Sequence, residues 1–363
     1  MMKSLMLKDR EVLRFDLEDC YFQVINTQLV PYSIRTSDSL YLNKDTLKYL
    51  TRLQDFLSRR LFPLQRCNSK GLCALIKLPQ NSSTLLRCKK AIELNALNLN
   101  DDYWVKDSKS DICYDDVCLL KNPGSDILGI SLHGITPSEI FTGAHADFST
   151  DGMFAKAWYY TGESYVLYKT DKTCNNINTR CELLTSKFLD CFIELPHVNY
   201  YKCTLDNTFC CCCDLINRDN FSMLHCSELL IYCYNNKINY EEFLLHNFPN
   251  DFPNMCVIDY IIHNTDRHTD NYSFFMDNVN GSILKLAPLY DHNQAFVSVL
   301  LNTVDKTVLS QTLDDGSSMY DLLLRMLPKS NLKLDTNRYT NLFKNNDAIK
   351  QYLDTVLGDL SFI

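Results

Sequence analysis

Polar and apolar positions alternate along some stretches of the chain and follow a helical period along others, and the two periods divide it into elements. A strand-like run at residues 21–25 precedes a helical pattern over 45–61, where Leu47, Leu50, Leu53, Phe56 and Leu57 fall on one face. Asn43 or Asp45 stands where an N-cap belongs. Residues 101–116 (DDYWVKDSKSDICYDD) are acidic around one aromatic pair and read as a connector, which puts a boundary near residue 110. Short β-like runs at 154–158 and 165–169 then flank Thr161-Gly162-Glu163, which is hairpin punctuation. A helix from about residue 180 aligns Leu184, Phe188, Cys191, Phe192 and Leu195. Further β-like runs lie at 198–203 and 209–215, and helical periodicity over 227–248, 252–263 and 340–357 dominates the remainder. The order predicts an α+β protein: an N-terminal α/β module (1–110), a β-rich small lobe (111–216) and a mainly helical large lobe (217–363).

Composition narrows the function. The chain has 363 residues, 46% of them hydrophobic and 22% charged, which excludes collagen-like and broadly disordered classes. A net charge of −8 gives no field that gathers phosphate backbones or anionic lipid, and no helix-turn-helix is recognisable, so neither direct nucleic-acid binding nor a membrane is expected. Charges at Lys3, Lys8, Asp9 and Arg10 interrupt any secretory core, and no apolar run approaches the roughly 20 residues that span a bilayer. A cytoplasmic protein is expected. Its 17 cysteines are then read as reduced thiols. The CxxC spacing within residues 210–213 has no second pair to complete a zinc site, and it reads as a buried strand.

The chemistry is concentrated in two neighbouring stretches. Asp266 and Asn271 have D-x-x-x-x-N spacing, and Asp291 follows a short β-like pair at 273–276 and 283–286. Taken singly, each of the three is an ordinary turn former. Together, between the apolar flanks Val257, Ile258, Ile261 and Ile262 and the later Phe274 and Phe275, they form a phosphotransfer set. Such a reaction needs a carboxylate to orient the attacking hydroxyl and hard oxygen donors for Mg²⁺ on the phosphates of ATP.

These stretches, Asn264-Thr265-Asp266-Arg267-His268 with Asn271 and Pro288-Leu289-Tyr290-Asp291, resemble the HipA-like kinase family, whose pattern is N-T-D-R-H-x-x-N followed by P-x-Y-D. The resemblance runs more weakly from about residue 149 to the end. Arg267 follows the aspartate here, whereas eukaryotic-type kinases place the arginine before it, and His292 stands where they have Phe-Gly. The resemblance implies a bilobal protein-kinase-like core with Asp266 as the base and Asn271 and Asp291 on Mg²⁺. It implies Lys169 on the ATP phosphates, with Glu182 of the next helix pairing with it. Residues 149–156 (STDGMFAK) occupy the place of the phosphate-covering loop, with Gly152 and Lys156 as contacts and Ser149 or Thr150 as autophosphorylation candidates. Asp214, Leu215 and Ile216 occupy the place of the adenine-binding hinge. His268 is expected as a further phosphate contact and Arg267 as a brace on the loop through a carboxylate pair, with a purely structural role the alternative for each.

The expected activity is an ATP- and Mg²⁺-dependent Ser/Thr protein kinase of toxin-like type, with a protein substrate and an antitoxin-like protein partner. A small-molecule or lipid kinase suits the same three residues, and a nucleotide-binding interaction protein is the third alternative.

Overall fold

The computed structural model describes residues 1–36, 45–171, 175–216, 220–344 and 347–363. Its contacts divide the chain into two compact units. The first comprises Met1–Thr170, Asp214–Leu224 and Met276–Ile283, and the second Asp171–Cys213, His225–Phe275 and Leu284–Ile363.

The first unit opens with strands β1 (Lys3–Leu7), β2 (Arg10–Asp16) and β3 (Tyr21–Val24). Helices α1 (Thr46–Ser58), α2 (Ser69–Leu75) and α3 (Thr84–Glu93) follow, then β4 (Tyr103–Asp107) and α4 (Leu128–His133). The four strands form an antiparallel sheet in the order β3-β2-β1-β4. β4 corrects the connector expected at 101–116: Tyr103, Trp104 and Val105 are all buried, so the strand shows no alternation to read. Its acidic flank is used internally, since Asp101 pairs with Arg60 at 2.8 Å and Asp102 accepts from Tyr114 at 2.8 Å. In α1 the residues Leu50, Leu53, Phe56 and Leu57 are buried as expected, but Leu47, in the first turn, is exposed. Asp45 occupies the N-cap without a side-chain capping bond, and Asn43 lies outside the described residues.

Strands β5 (Ala155–Tyr160) and β6 (Tyr165–Thr170) complete this unit as an antiparallel hairpin, with Gly162 in the left-handed region at φ +101°. The expected run at 154–158 begins one residue early and ends two short, and the run at 165–169 ends one residue short. Trp158 and Tyr160 pack against a core of Met6, Leu97, Trp104, Leu119 and Tyr165.

The second unit begins with α5 (Ile177–Leu189), three residues earlier than expected; Cys191, Phe192 and Leu195 lie beyond its end. β7 (Tyr201–Leu205) and β8 (Thr208–Asp214) pair antiparallel, and a disulfide joins Cys203 to Cys212, an exception to the expected reduced thiols. Cys210, Cys211 and Cys213 are buried and take no part in that disulfide. β9 (Phe221–His225), which belongs to the first unit up to Leu224, leads to α6 (Cys226–Asn235) and α7 (Tyr240–Asn247) in place of one long helix. Lys237 at φ +57° breaks the helical path, and Asn239 caps α7 by accepting from the Glu242 N–H. After α8 (Asp251–Ile261) come β10 (Ser273–Asp277), β11 (Ile283–Leu286), α9 (Val297–Leu300) and α10 (Met319–Met326). α11 (Thr336–Leu342) and α12 (Ala348–Asp359) replace the single helix expected at 340–357, with Asp347 capping the second. No helix among the described residues is long and apolar enough to cross a membrane.

Candidate phosphotransfer site

α8 is buried almost throughout, and its last turn delivers the chain to a polar loop. Asn264 begins that loop: its N–H donates to the Asp259 carbonyl at 2.8 Å and its Nδ2 to Asp259 Oδ1 at 3.0 Å. Asp266 is fixed by its own carbonyl, which accepts from the His268 N–H at 2.9 Å and from Asn271 Nδ2 at 2.7 Å. The same Nδ2 lies 3.5 Å from Asp266 Oδ2, which leaves the amide oxygen of Asn271 directed elsewhere.

Arg267 is the brace. It is buried, reaches both carboxylate oxygens of Asp259 at 2.9 and 3.2 Å, and donates through Nη1 to the carbonyls of Asn271 and Tyr290. One guanidinium thereby ties the loop that holds Asp266 and Asn271 to the turn that presents Asp291. Desolvation works to lower the Arg267 pKa, and the Asp259 carboxylate overcomes it, so the group is held more firmly protonated.

Asp291 sits in the left-handed region at φ +56°, with its N–H donating to the Tyr200 hydroxyl at 3.3 Å. Its Oδ1 accepts from Asn293 Nδ2 at 2.9 Å. Asn293 is buried, and its Oδ1 has no hydrogen-bond partner among the described residues. The Asp266 carboxyl is pushed above the usual carboxylate range by burial first, against His268, and further by the nearby Asp291 charge. Asp266, Asn271 and Asp291 are therefore brought together within the second unit. His268 lies in the same loop, with Nδ1 accepting from the Asp270 N–H at 3.2 Å.

Glu182 also belongs to the second unit. It is 1% exposed and lies in the second turn of α5, so the helix dipole at a first turn does not account for it. The remaining expected residues belong to the first unit. Lys156 is part of β5 and not of a loop, and it stands directly opposite Lys169 of β6 in the hairpin register. Both lysines are buried, and they share a face with Trp158, Leu167 and Tyr165. Gly152 has φ +91°, and a Cβ there would collide with the Lys156 ammonium. Ser149 and Thr150 are buried, each hydroxyl donating to the Ala146 carbonyl. At the expected hinge Asp214 is exposed, Leu215 and Ile216 are half-buried, and the Leu215 N–H is committed to the Tyr165 carbonyl at 2.9 Å.

A solved HipA from Shewanella oneidensis MR-1, in a structure with HipB and operator DNA, matches over 99% of this chain and 96% of its own at a TM-score of 0.56 and 14% identity. This chain has the HipA fold. The Helicobacter pylori proinflammatory kinase CtkA matches over 58% of this chain and 88% of its own, also at 14% identity, with a TM-score of 0.40, too slight to argue from. No family profile and no curated protein matches the sequence. At such identity the HipA likeness speaks for the fold, and the activity has to be argued from the residues.

Asp259, Tyr200 and Asn293 were missed from sequence. Asp259 carried a signal, as a lone carboxylate on an otherwise apolar helix. Asn293 carried a weaker one, two positions past Asp291, where an Asn is equally a turn former.

Proposed function

We propose that the protein is an ATP- and Mg²⁺-dependent phosphotransferase that transfers the γ-phosphate of ATP to a Ser or Thr hydroxyl of a protein. The observation that carries this reading is the cluster of Asp266, Asn271 and Asp291, built on one loop and one turn and locked by Arg267. In such a reaction the acceptor oxygen bonds to Pγ, the bond from Pγ to the β–γ bridging oxygen breaks, and the hydroxyl proton passes to a carboxylate. Asp266 fits that last role: a carboxyl held above its ordinary pKa takes up a proton more readily.

The donor set also fits Mg²⁺, a hard cation that takes carboxylate and amide oxygens. The Asn271 amide nitrogen is engaged with Asp266, leaving its oxygen for the ion, and Asn293 orients the Asp291 carboxylate by donating to its Oδ1. When bound, Mg²⁺ would supply neutralisation of the phosphate charge.

Lys156 and Lys169, two cations at one register position, would meet the phosphates, with Gly152 permitting close approach and His268 as an additional contact. Glu182, Asp214, Leu215 and Ile216 would serve nucleotide binding, the last three taking the adenine through backbone groups other than the Leu215 N–H. The lobe division at residue 216 and a bilobal kinase core belong to this proposal. So does an antitoxin-like protein partner, prompted by the HipB found with the Shewanella oneidensis HipA.

Incubation with γ-labelled ATP and Mg²⁺ in the presence of cell extract tests the reading. Label on protein, lost with Asp266→Ala, supports it. Label on small molecules would move the acceptor to a metabolite or lipid, and no transfer at all would reduce the protein to a nucleotide binder or less.

A further inference from the structure

Three peptide carbonyls of the segment entering β5 converge on one guanidinium that the phosphotransfer reading leaves unused. Arg66 is 2% exposed, and its Nη1 donates to the carbonyls of Asp147 at 3.0 Å and Thr150 at 3.2 Å. Its Nη2 donates to the Lys156 carbonyl. Two backbone bonds run alongside, from the Phe62 N–H to the Phe148 carbonyl at 2.7 Å and from the Cys67 N–H to the Met153 carbonyl at 2.8 Å. Residues 62–67 of the N-terminal module are thus the bed on which residues 147–156 lie. That segment carries Gly152 and Lys156.

Burying a charge is costly, and this one offsets the cost through its Nη donors on loop carbonyls, while its Nε has no hydrogen-bond partner among the described residues. The nearby Asp147 carboxylate accepts from the Trp158 N–H through Oδ1 at 2.7 Å. Such an arrangement suits fixing a backbone path better than forming an ion pair.

We propose that Arg66 is a positioning residue for the nucleotide, holding residues 147–156 in the conformation that presents Gly152 and Lys156 to the phosphates. The inference rests on the phosphotransfer reading and assigns the N-terminal module a part in it. A loop ordered in advance spares bound ATP the entropy of ordering it, so losing Arg66 weakens binding more than it slows transfer once ATP saturates.

Arg60 supplies the control. It is equally buried in the same unit, but it donates to the Ala96 and Tyr103 carbonyls and pairs with Asp101, away from the loop. The experiment compares full-length wild type with Arg66→Gln, Arg66→Lys and Arg60→Gln. Readouts are calorimetric binding of a nonhydrolysable ATP analogue with Mg²⁺, KM and kcat for ATP, thermal midpoint and amide exchange over 147–156. Arg66→Gln should raise Kd and KM by about tenfold with kcat changed less than about threefold. Arg66→Lys, keeping one donor, should fall between, and it serves alone if the Gln variant does not fold. Arg60→Gln should lower the thermal midpoint without weakening nucleotide.

Unchanged affinity in both Arg66 variants, or equal weakening by Arg60→Gln, would overturn the proposal. If wild type binds no nucleotide, the phosphotransfer reading itself fails, and exchange still decides the clamp. Faster exchange over 147–156 confined to the Arg66 variants upholds it, and unchanged exchange overturns it.

Discussion

Replacing Arg267 by alanine should be among the most damaging single changes in the second unit. The side chain is buried, and its loss leaves the Asp259 carboxylate buried with only the Asn264 amide and removes the donor from the Asn271 and Tyr290 carbonyls. Breaking a buried ion pair from one side costs about 3–5 kcal/mol, and each stranded carbonyl adds about 1 kcal/mol when water reaches it in part. The sum approaches the whole stability of a typical domain, about 5–15 kcal/mol. Urea unfolding followed by circular dichroism measures it, and a lower midpoint at unchanged slope is expected. The double variant Asp259→Leu/Arg267→Met removes both charges and should recover at least about 2 kcal/mol over Arg267→Ala, because the unpaired carboxylate is what does the harm. It should still lack transferase activity, since the buried guanidinium that ties the loop of Asp266 to the turn of Asp291 is gone and the Tyr290 hydroxyl on the Asp270 carbonyl at 3.3 Å is left to join them. A loss under about 1 kcal/mol for Arg267→Ala, or a double variant no more stable than the single one, would refute the reasoning.

Other predictions concern the surroundings of the site. Asn293→Leu should raise the Mg²⁺ concentration for half-maximal transfer by about tenfold or more, because it frees the Asp291 carboxylate to rotate; Mg²⁺ titration at saturating ATP checks this. The pKa of His145 is depressed, chiefly by burial, so the unfolded chain binds its proton more readily than the folded one. Stability should therefore fall as pH drops through the ordinary histidine value near ~6.5, and His145→Asn should flatten thermal midpoints between about pH 7.5 and 5.5. Because both hydroxyls are buried, phosphate on Ser149 or Thr150 would require the turn after Ala146 to open. Intact mass after ATP incubation should then show added phosphate together with faster exchange over 146–150, and Asp266→Ala should show neither.

The phosphotransfer cluster was legible because its spacing is short and its flanks are strongly apolar. Asp266 and Asn271 share one loop, and Asp291 follows a hairpin whose strands the sequence marks clearly. What was illegible depended on distant partners. β4 hid because its neighbours bury three consecutive residues and absorb its acidic flank, so neither alternation nor polarity marked it. β1 and β2 were overlooked among charges such as Lys3, Arg10 and Arg14, which occupy the polar positions of a half-buried sheet. The long helices expected at 227–248 and 340–357 divide where Lys237 and Asp347 favour a turn and a cap, local signals that periodicity outweighed. No pattern could have marked Arg66: its meaning lies in carbonyls 81 to 90 positions away.

The central claim is that Asp266, Asn271 and Asp291 serve one Mg²⁺-dependent transfer. The most direct test is the single-turnover rate of γ-phosphate loss from bound ATP, with and without Mg²⁺, in wild type and in Asp266→Ala, Asn271→Ala and Asp291→Ala of matched thermal midpoint. The account predicts transfer by wild type that chelation abolishes, and a fall of at least about 10² in each variant. Wild-type rates in the three variants, or transfer indifferent to Mg²⁺, would contradict it.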